Sequence, residues 1–184
     1  MPTHIALLRG INVGGQRKVA MTDLRTVVSS LGHAQVSTYI QSGNVLFATQ
    51  QTDTAAMAAA MERAIAATLG LQPRVVVVSC EELAAVVDAN PYPDEPNPRH
   101  VHVIFLSEEP GADLEARVVA AQAQAARKGS RDTARLVGRT LFVHTPDGYG
   151  RSELAALLAR RADGPSGTAR NWATVTKLLA LCQR

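Results

Sequence analysis

The chain has 184 residues, 46% of them hydrophobic, and a formal net charge of +3. Such a length suits one or two small domains with a real core, and the apolar content excludes a disordered chain. The charge is too small to imply nucleic acid by itself. It is carried almost wholly by arginine, with lysine only at 18, 128 and 177, and arginine recognises oxyanions through a planar, two-pronged contact that lysine lacks.

Cys80 and Cys182 stand alone, without a CxxC or a His-spaced pattern, and read as buried thiols of a reducing compartment. Only one run of four apolar residues, Ile5–Leu8, precedes Arg9, and the Ala-rich stretch from Thr54 to Leu69 carries Glu62 and Arg63. Neither a secretory leader nor a membrane span is expected, and the reading is a cytoplasmic protein with no membrane partner.

The pattern predicts a first strand over Thr3–Arg9, then a helix with Leu24, Val27, Val28 and Leu31 at helical spacing and Gly32 at its end. Short strands over Val36–Ile40 and Val45–Ala48 flank the turn residues Gln41-Ser42-Gly43-Asn44. Asp53 is placed to cap a second helix with a Met57, Met61, Ile65, Leu69 stripe ending at Gly70, and Val75–Val78 is a strand buried on both faces. The order is β-α-β-β-α-β, that of a ferredoxin-like unit.

Ser79 and Glu82 form a capping box for a third helix, which stops at Asn90-Pro91. A proline-rich connector, Tyr92–Arg99, leads to a strand over His100–Leu106 and an Ala-rich helix near Ala112–Lys128. Gly138-Arg139 turns a hairpin between Arg135–Val137 and Thr140–His144. Two helices, Ser152–Ala162 and Ala169–Cys182, are expected to close the chain. The expected fold is therefore α+β: a ferredoxin-like unit over residues 1–79, then a second related α+β unit over 80–184 with two C-terminal helices.

The segment most suggestive of a site is Leu8-Arg9-Gly10-Ile11-Asn12-Val13-Gly14-Gly15-Gln16-Arg17-Lys18. Glycines after a strand let backbone N–H groups approach a ligand, and Arg9, Arg17 and Lys18 supply charge for an anion. Gly10-x4-Gly15 matches a phosphate-binding P-loop for six residues and then fails, because Gln16-Arg17 stands where Lys-Ser/Thr is needed. In a β-α-β-β order, the loop after the first strand and the hairpin between the second and third lie at one edge. That places Gln41, Ser42 and Asn44 facing Arg9, Asn12 and Lys18 across one shallow site. Asp147-Gly148-Tyr149-Gly150-Arg151-Ser152 reads either as a helix entry capped by Ser152 or as a second anion cradle. Arg170 and Asn171 open the expected last helix, whose Trp172 stripe is core. His100 and His102 share a strand face without a third ligand, so no metal site is expected.

These residues resemble a bacterial family known as domain of unknown function 1697. The resemblance rests on Leu8–Gly15, Lys18-Val19 and Met21, Tyr39–Val45, Asn90-Pro91, Gly150–Ser152, Arg170-Asn171-Trp172 and Thr174-Val175. The chain departs from the pattern at Ala20, usually proline; at His33, usually aromatic; at Glu153, usually lysine; and at Ala169, usually threonine. The resemblance implies an α+β fold with ferredoxin-like units and brings no activity, cofactor or residue role.

The residues themselves point to a small anionic ligand, phosphorylated or carboxylate, bound by Arg9, Gly10, Asn12, Gly14, Gly15, Arg17, Lys18, Gln41, Ser42, Asn44, Arg170 and Asn171. An enzyme acting on a small acidic or phosphorylated substrate at that site is the alternative, though no base, nucleophile or cofactor motif identifies a reaction. An RNA- or DNA-binding module is a further alternative, disfavoured by the 4% aromatic content, since base stacking needs aromatic rings.

Overall fold

The computed structural model describes residues 1–12, 19–159 and 166–184. The chain divides into two compact units, Met1–Ala85 with Lys177–Arg184, and Val86–Thr176.

In the first unit, β1 (His4–Arg9), α1 (Met21–Ser30), β2 (Ala34–Tyr39), β3 (Asn44–Ala48), α2 (Thr54–Leu69) and β4 (Arg74–Ser79) follow in chain order. The sheet runs β2-β3-β1-β4 with every neighbour antiparallel. Side chains alternate across a strand. Ala6 and Leu8 of β1 therefore join Val45, Phe47, Val75 and Val77 on one face. There they meet Leu24, Val27 and Val28 of α1 and Met57, Met61 and Ile65 of α2 in a single core. Ile5, Leu7, Leu46, Val76 and Val78 on the other face are buried as well, so the strand over Val75–Val78 is enclosed on both sides.

Local signals hold at both ends of α2 and at the Ser79–Glu82 box. The Asp53 carboxylate accepts from Ala56 N–H at 2.8 Å at the start of α2, and Gly70 ends that helix in the left-handed region. Ser79 Oγ accepts from Glu82 N–H at 2.9 Å while Glu82 accepts from Ser79 N–H at 2.8 Å, a complete capping box. His33 is buried with its ring 4.6 Å from that of Phe47, filling the place of an aromatic.

The second unit contains β5 (Val101–Leu106), α4 (Ala112–Arg127), β6 (Thr133–Val137), β7 (Thr140–His144), α5 (Glu153–Ala159) and β8 (Gly167–Asn171). Its sheet runs β6-β7-β5-β8, again antiparallel throughout. The permutation is that of the first unit: second strand, third, first, fourth. One of its cores gathers Val118 and Ala125 of α4, Ala134, Leu141 and Val143 of the sheet, and Leu154 of α5. Helices α3 (Cys80–Asp88) and α6 (Trp172–Cys182) each contain a crossing between the units.

Two expectations need correction. Residues 169–171, expected as helix, belong to β8, and α6 begins only at Trp172. Thr168 and Arg170 are the buried positions of that strand. They are polar, so the alternation is invisible to an apolar count, and the 3.6-residue stripe of α6 extends backwards over them. The expected end of the preceding helix at Ala162 lies outside the described residues. The second correction concerns the thiols: Cys80 and Cys182 form a disulfide, with Cα atoms 5.9 Å apart. A separation of 102 residues left no local signal for the pairing.

The hairpin turn gives a sharp test. Gly43 has φ +76°, and a Cβ there would lie 2.9 Å from the Leu8 Cβ; Gly32 has φ +84° with nothing within 4 Å. Gly32→Ala carries only the backbone cost, about 1 kcal/mol. Gly43→Ala adds steric overlap and should lose about 2–4 kcal/mol. Urea denaturation of both variants measures the difference, and equal losses would show that the β1 contact is soft.

Candidate functional site

Among the described residues, the start of the loop after β1 lies against the hairpin. Leu8 N–H donates to Gly43 O at 2.8 Å, just where β1 runs out. Asn12, in the left-handed region at φ 57°, then closes the corner. Its Nδ2 donates to Gln41 O at 2.9 Å and to Val19 O at 3.1 Å, and its Oδ1 accepts from Val19 N–H at 2.7 Å. One side chain thus ties together β1, the hairpin and the approach to α1.

The predicted site residues of the first unit separate by role. Arg9 and Gln41 are exposed. Asn44 is fully buried, its amide donating to Tyr39 O at 3.1 Å and Ser42 Oγ at 2.9 Å, so it shapes the hairpin from inside. Gly14, Gly15, Arg17 and Lys18 lie outside the described residues.

A residue the sequence reading passed over completes the picture. Arg74 opens β4 directly opposite Arg9 of β1, and opposed residues on neighbouring antiparallel strands project from the same sheet face. Both line a hollow of about 340 Å³, with Gly10, Ile11, Asn12 and Val19 on one side and Leu71, Gln72 and Pro73 on the other. Arg74 lies 3.5 Å from a Glu62 oxygen. The other Glu62 oxygen accepts from Val75 N–H at 2.8 Å, which fixes the carboxylate. Among the described residues, no carboxylate lies within ion-pair distance of Arg9. A smaller hollow of about 210 Å³ in the second unit is lined by Glu109 and Glu115, the wrong sign for an anion.

The predicted residues of the second unit are engaged in the fold. Arg170 is buried on β8, where Nη1 donates to Thr168 Oγ1 and Ala169 O, both at 2.8 Å. Burial pulls its pKa down to about 10, which still leaves it charged at neutral pH. Asn171 Oδ1 accepts from Thr174 N–H at 2.9 Å and so caps α6. Ser152 caps α5 through a 2.9 Å bond from Ala155 N–H and donates to buried Asp132 at 2.8 Å. Glu153 pairs with Lys128 at 2.5 Å.

The connector before β5 carries a polar network with no sequence motif. Glu95 accepts from Asn97 N–H at 2.9 Å and meets His144 Nε2 at 2.6 Å and His100 Nδ1 at 3.2 Å. The Asn97 amide lies 2.9 Å from His100 Nε2, and Tyr92 stacks on His144 with ring centres 5.0 Å apart. The Asn97 backbone bond foremost, then His144, holds the Glu95 carboxyl below its usual range. The network secures the connector to the end of β7. Among the described residues, no three His, Cys, Asp or Glu side chains are arranged to hold a metal ion.

With two α+β units of one strand order and two arginines opposed on neighbouring strands, the chain is an α+β protein with a basic hollow in its first unit. A family model, Protein of unknown function (DUF1697), matches residues 1–142. The chain belongs to that family. Among solved structures it is similar to the conserved bacterial protein SP0830 from Streptococcus pneumoniae, at 24% identity over 98% of each chain with a TM-score of 0.72; that likeness shows the fold. No curated protein matches the chain. No helix among the described residues is long and apolar enough to cross a membrane.

Two variants probe these arrangements. Asn12→Asp keeps the acceptor but sets an oxygen against two carbonyls, and should cost about 1–3 kcal/mol by urea denaturation. His102 of β5 stacks on Tyr149 with ring centres 3.9 Å apart, its Nδ1 buried without a partner, and burial lowers its pKa to about 4 from 6.5. Because the folded state resists the proton, its contribution is complete above pH 6.5 and is lost as pH falls towards 4. His102→Phe should shrink the stability lost between pH 7 and 4.5 by about 1–2 kcal/mol, allowing for partial solvent access. An unchanged pH profile would exclude His102 as a source of acid sensitivity.

Proposed function

We propose that the chain binds a small molecule bearing a phosphate or carboxylate group in the hollow between the glycine loop and the start of β4. The observation that carries this reading is the opposition of Arg9 and Arg74 across neighbouring strands in the lining of that hollow. Like charges placed opposite each other are unfavourable in a sheet. An oxyanion reverses the sign of that term and accepts two planar, charge-assisted contacts.

Among the described residues, the hollow's lining includes no carboxylate, imidazole or thiol. Binding is therefore favoured over acid–base chemistry by the groups at this place. The Glu62 carboxylate beside Arg74 competes with a ligand for that guanidinium.

Calorimetry with inorganic phosphate, pyrophosphate and a nucleoside monophosphate tests the proposal. At least one of these should bind the wild-type protein and raise its melting temperature by linkage. Arg9→Gln and Arg74→Gln should each weaken binding about tenfold or more, the loss expected for one charge-assisted contact. Glu62→Gln, which can still accept from Val75 N–H, should tighten it. If no anion binds, or if both arginine variants bind as the wild type does, the hollow is not the site.

A further inference from the structure

We infer that the Cys80–Cys182 disulfide is a reversible redox latch that fastens the end of α6 to the first unit and closes the polypeptide ring containing the second. Cys80 is the first residue of α3 and Cys182 the last of α6. Both belong to the first unit, and each stands six positions from a crossing, from 80 to 86 and from 176 to 182. The bond therefore joins the chain just before it leaves the first unit and just after it returns.

Of the eight residues Lys177–Arg184, Leu178 and Cys182 are buried, Leu179, Ala180 and Leu181 are partly buried, and the other three are exposed. A segment with few buried contacts opens at low free energy. Cross-linking it back to Cys80 closes a ring of about a hundred residues, the length at which loop closure constrains the unfolded chain strongly.

The two sulfurs differ in access. Cys182 is 5% exposed, whereas Cys80 is only partly buried, so a thiol enters at Cys80. A low-molecular-weight thiolate such as glutathione attacks Cys80 Sγ; the protein S–S bond breaks and Cys182 leaves as a thiolate, which takes up a proton. A second glutathione thiolate attacks the mixed disulfide and releases Cys80. Two glutathione thiols become oxidised glutathione, and the protein disulfide becomes two thiols. Oxidised glutathione drives the same steps in reverse.

The full-length protein is equilibrated against a series of reduced-to-oxidised glutathione ratios, alkylated in denaturant and weighed. The thiol count should move between zero and two, and return when the ratio is reversed. Amide hydrogen exchange on the oxidised and reduced wild-type protein is the second readout. Reduction should speed exchange in Lys177–Arg184 by about tenfold or more while β1 and β3 stay protected, and should lower the melting temperature by several degrees. A Cys80→Ser/Cys182→Ser variant should match the reduced protein at every ratio; reduced wild type carries the same comparison if that variant fails to fold. Two free thiols at every ratio would overturn the proposal, as would identical exchange in both states. Global unfolding on reduction would also overturn it, by making the bond a fixed staple.

Discussion

The structure of the first unit depends on β1 being bonded along both of its edges. Its partners β3 and β4 fix six consecutive residues, from His4 to Arg9, in one register. Every later placement follows from that register. It puts Ala6 and Leu8 on the core side, it brings Arg9 opposite Arg74, and it ends β1 against Gly43, where Leu8 N–H finds its acceptor. A slip of one residue would turn the apolar set to the wrong face and separate the two arginines. The basic hollow is thus a by-product of the same pairing that builds the core.

The second unit repeats the solution with different chemistry at the corresponding place. Its sheet has the same strand permutation, with β5 as the doubly bonded strand. Where β1 ends in Arg9 opposite Arg74, β5 ends in Leu106 opposite Gly167. A Cβ at Gly167 would lie 2.8 Å from Ile104, so this corner is closed by packing. Shared topology has left one unit with a charged strand end and the other with a packed one, which is a reason to argue function from the site rather than from the fold.

What could be read from sequence was what is written locally. The Asp53 cap, the Ser79–Glu82 box, the Gly138-Arg139 turn and the apolar runs of β1 and β4 each occupy a few adjacent residues. The nearness of Asn12 to the hairpin was legible too, because strand order forces it. The rest needed three dimensions. Arg74 carries no motif and gains meaning only from the register that sets it opposite Arg9. Asn44 and Asn171 have the donors and acceptors of a ligand site, yet their side chains are engaged in a turn and a helix cap. Strand β8 was hidden because its inward residues, Thr168 and Arg170, are polar. The Glu95 network depends on His144, 49 positions further along the chain.

The covalent ring has a consequence for how the molecule comes apart. A single cut by a protease anywhere between residues 81 and 181 breaks the backbone inside the ring and leaves both pieces in one molecule, joined through Cys80 and Cys182. Exposed stretches of the proline-bearing connector, such as Pro98-Arg99, lie inside that span. A nick there yields a two-chain protein whose first piece carries the whole first sheet and whose second carries the whole second sheet. The sulfur bridge then stands in for the severed peptide bond, and the two pieces travel as one molecule until a reductant separates them.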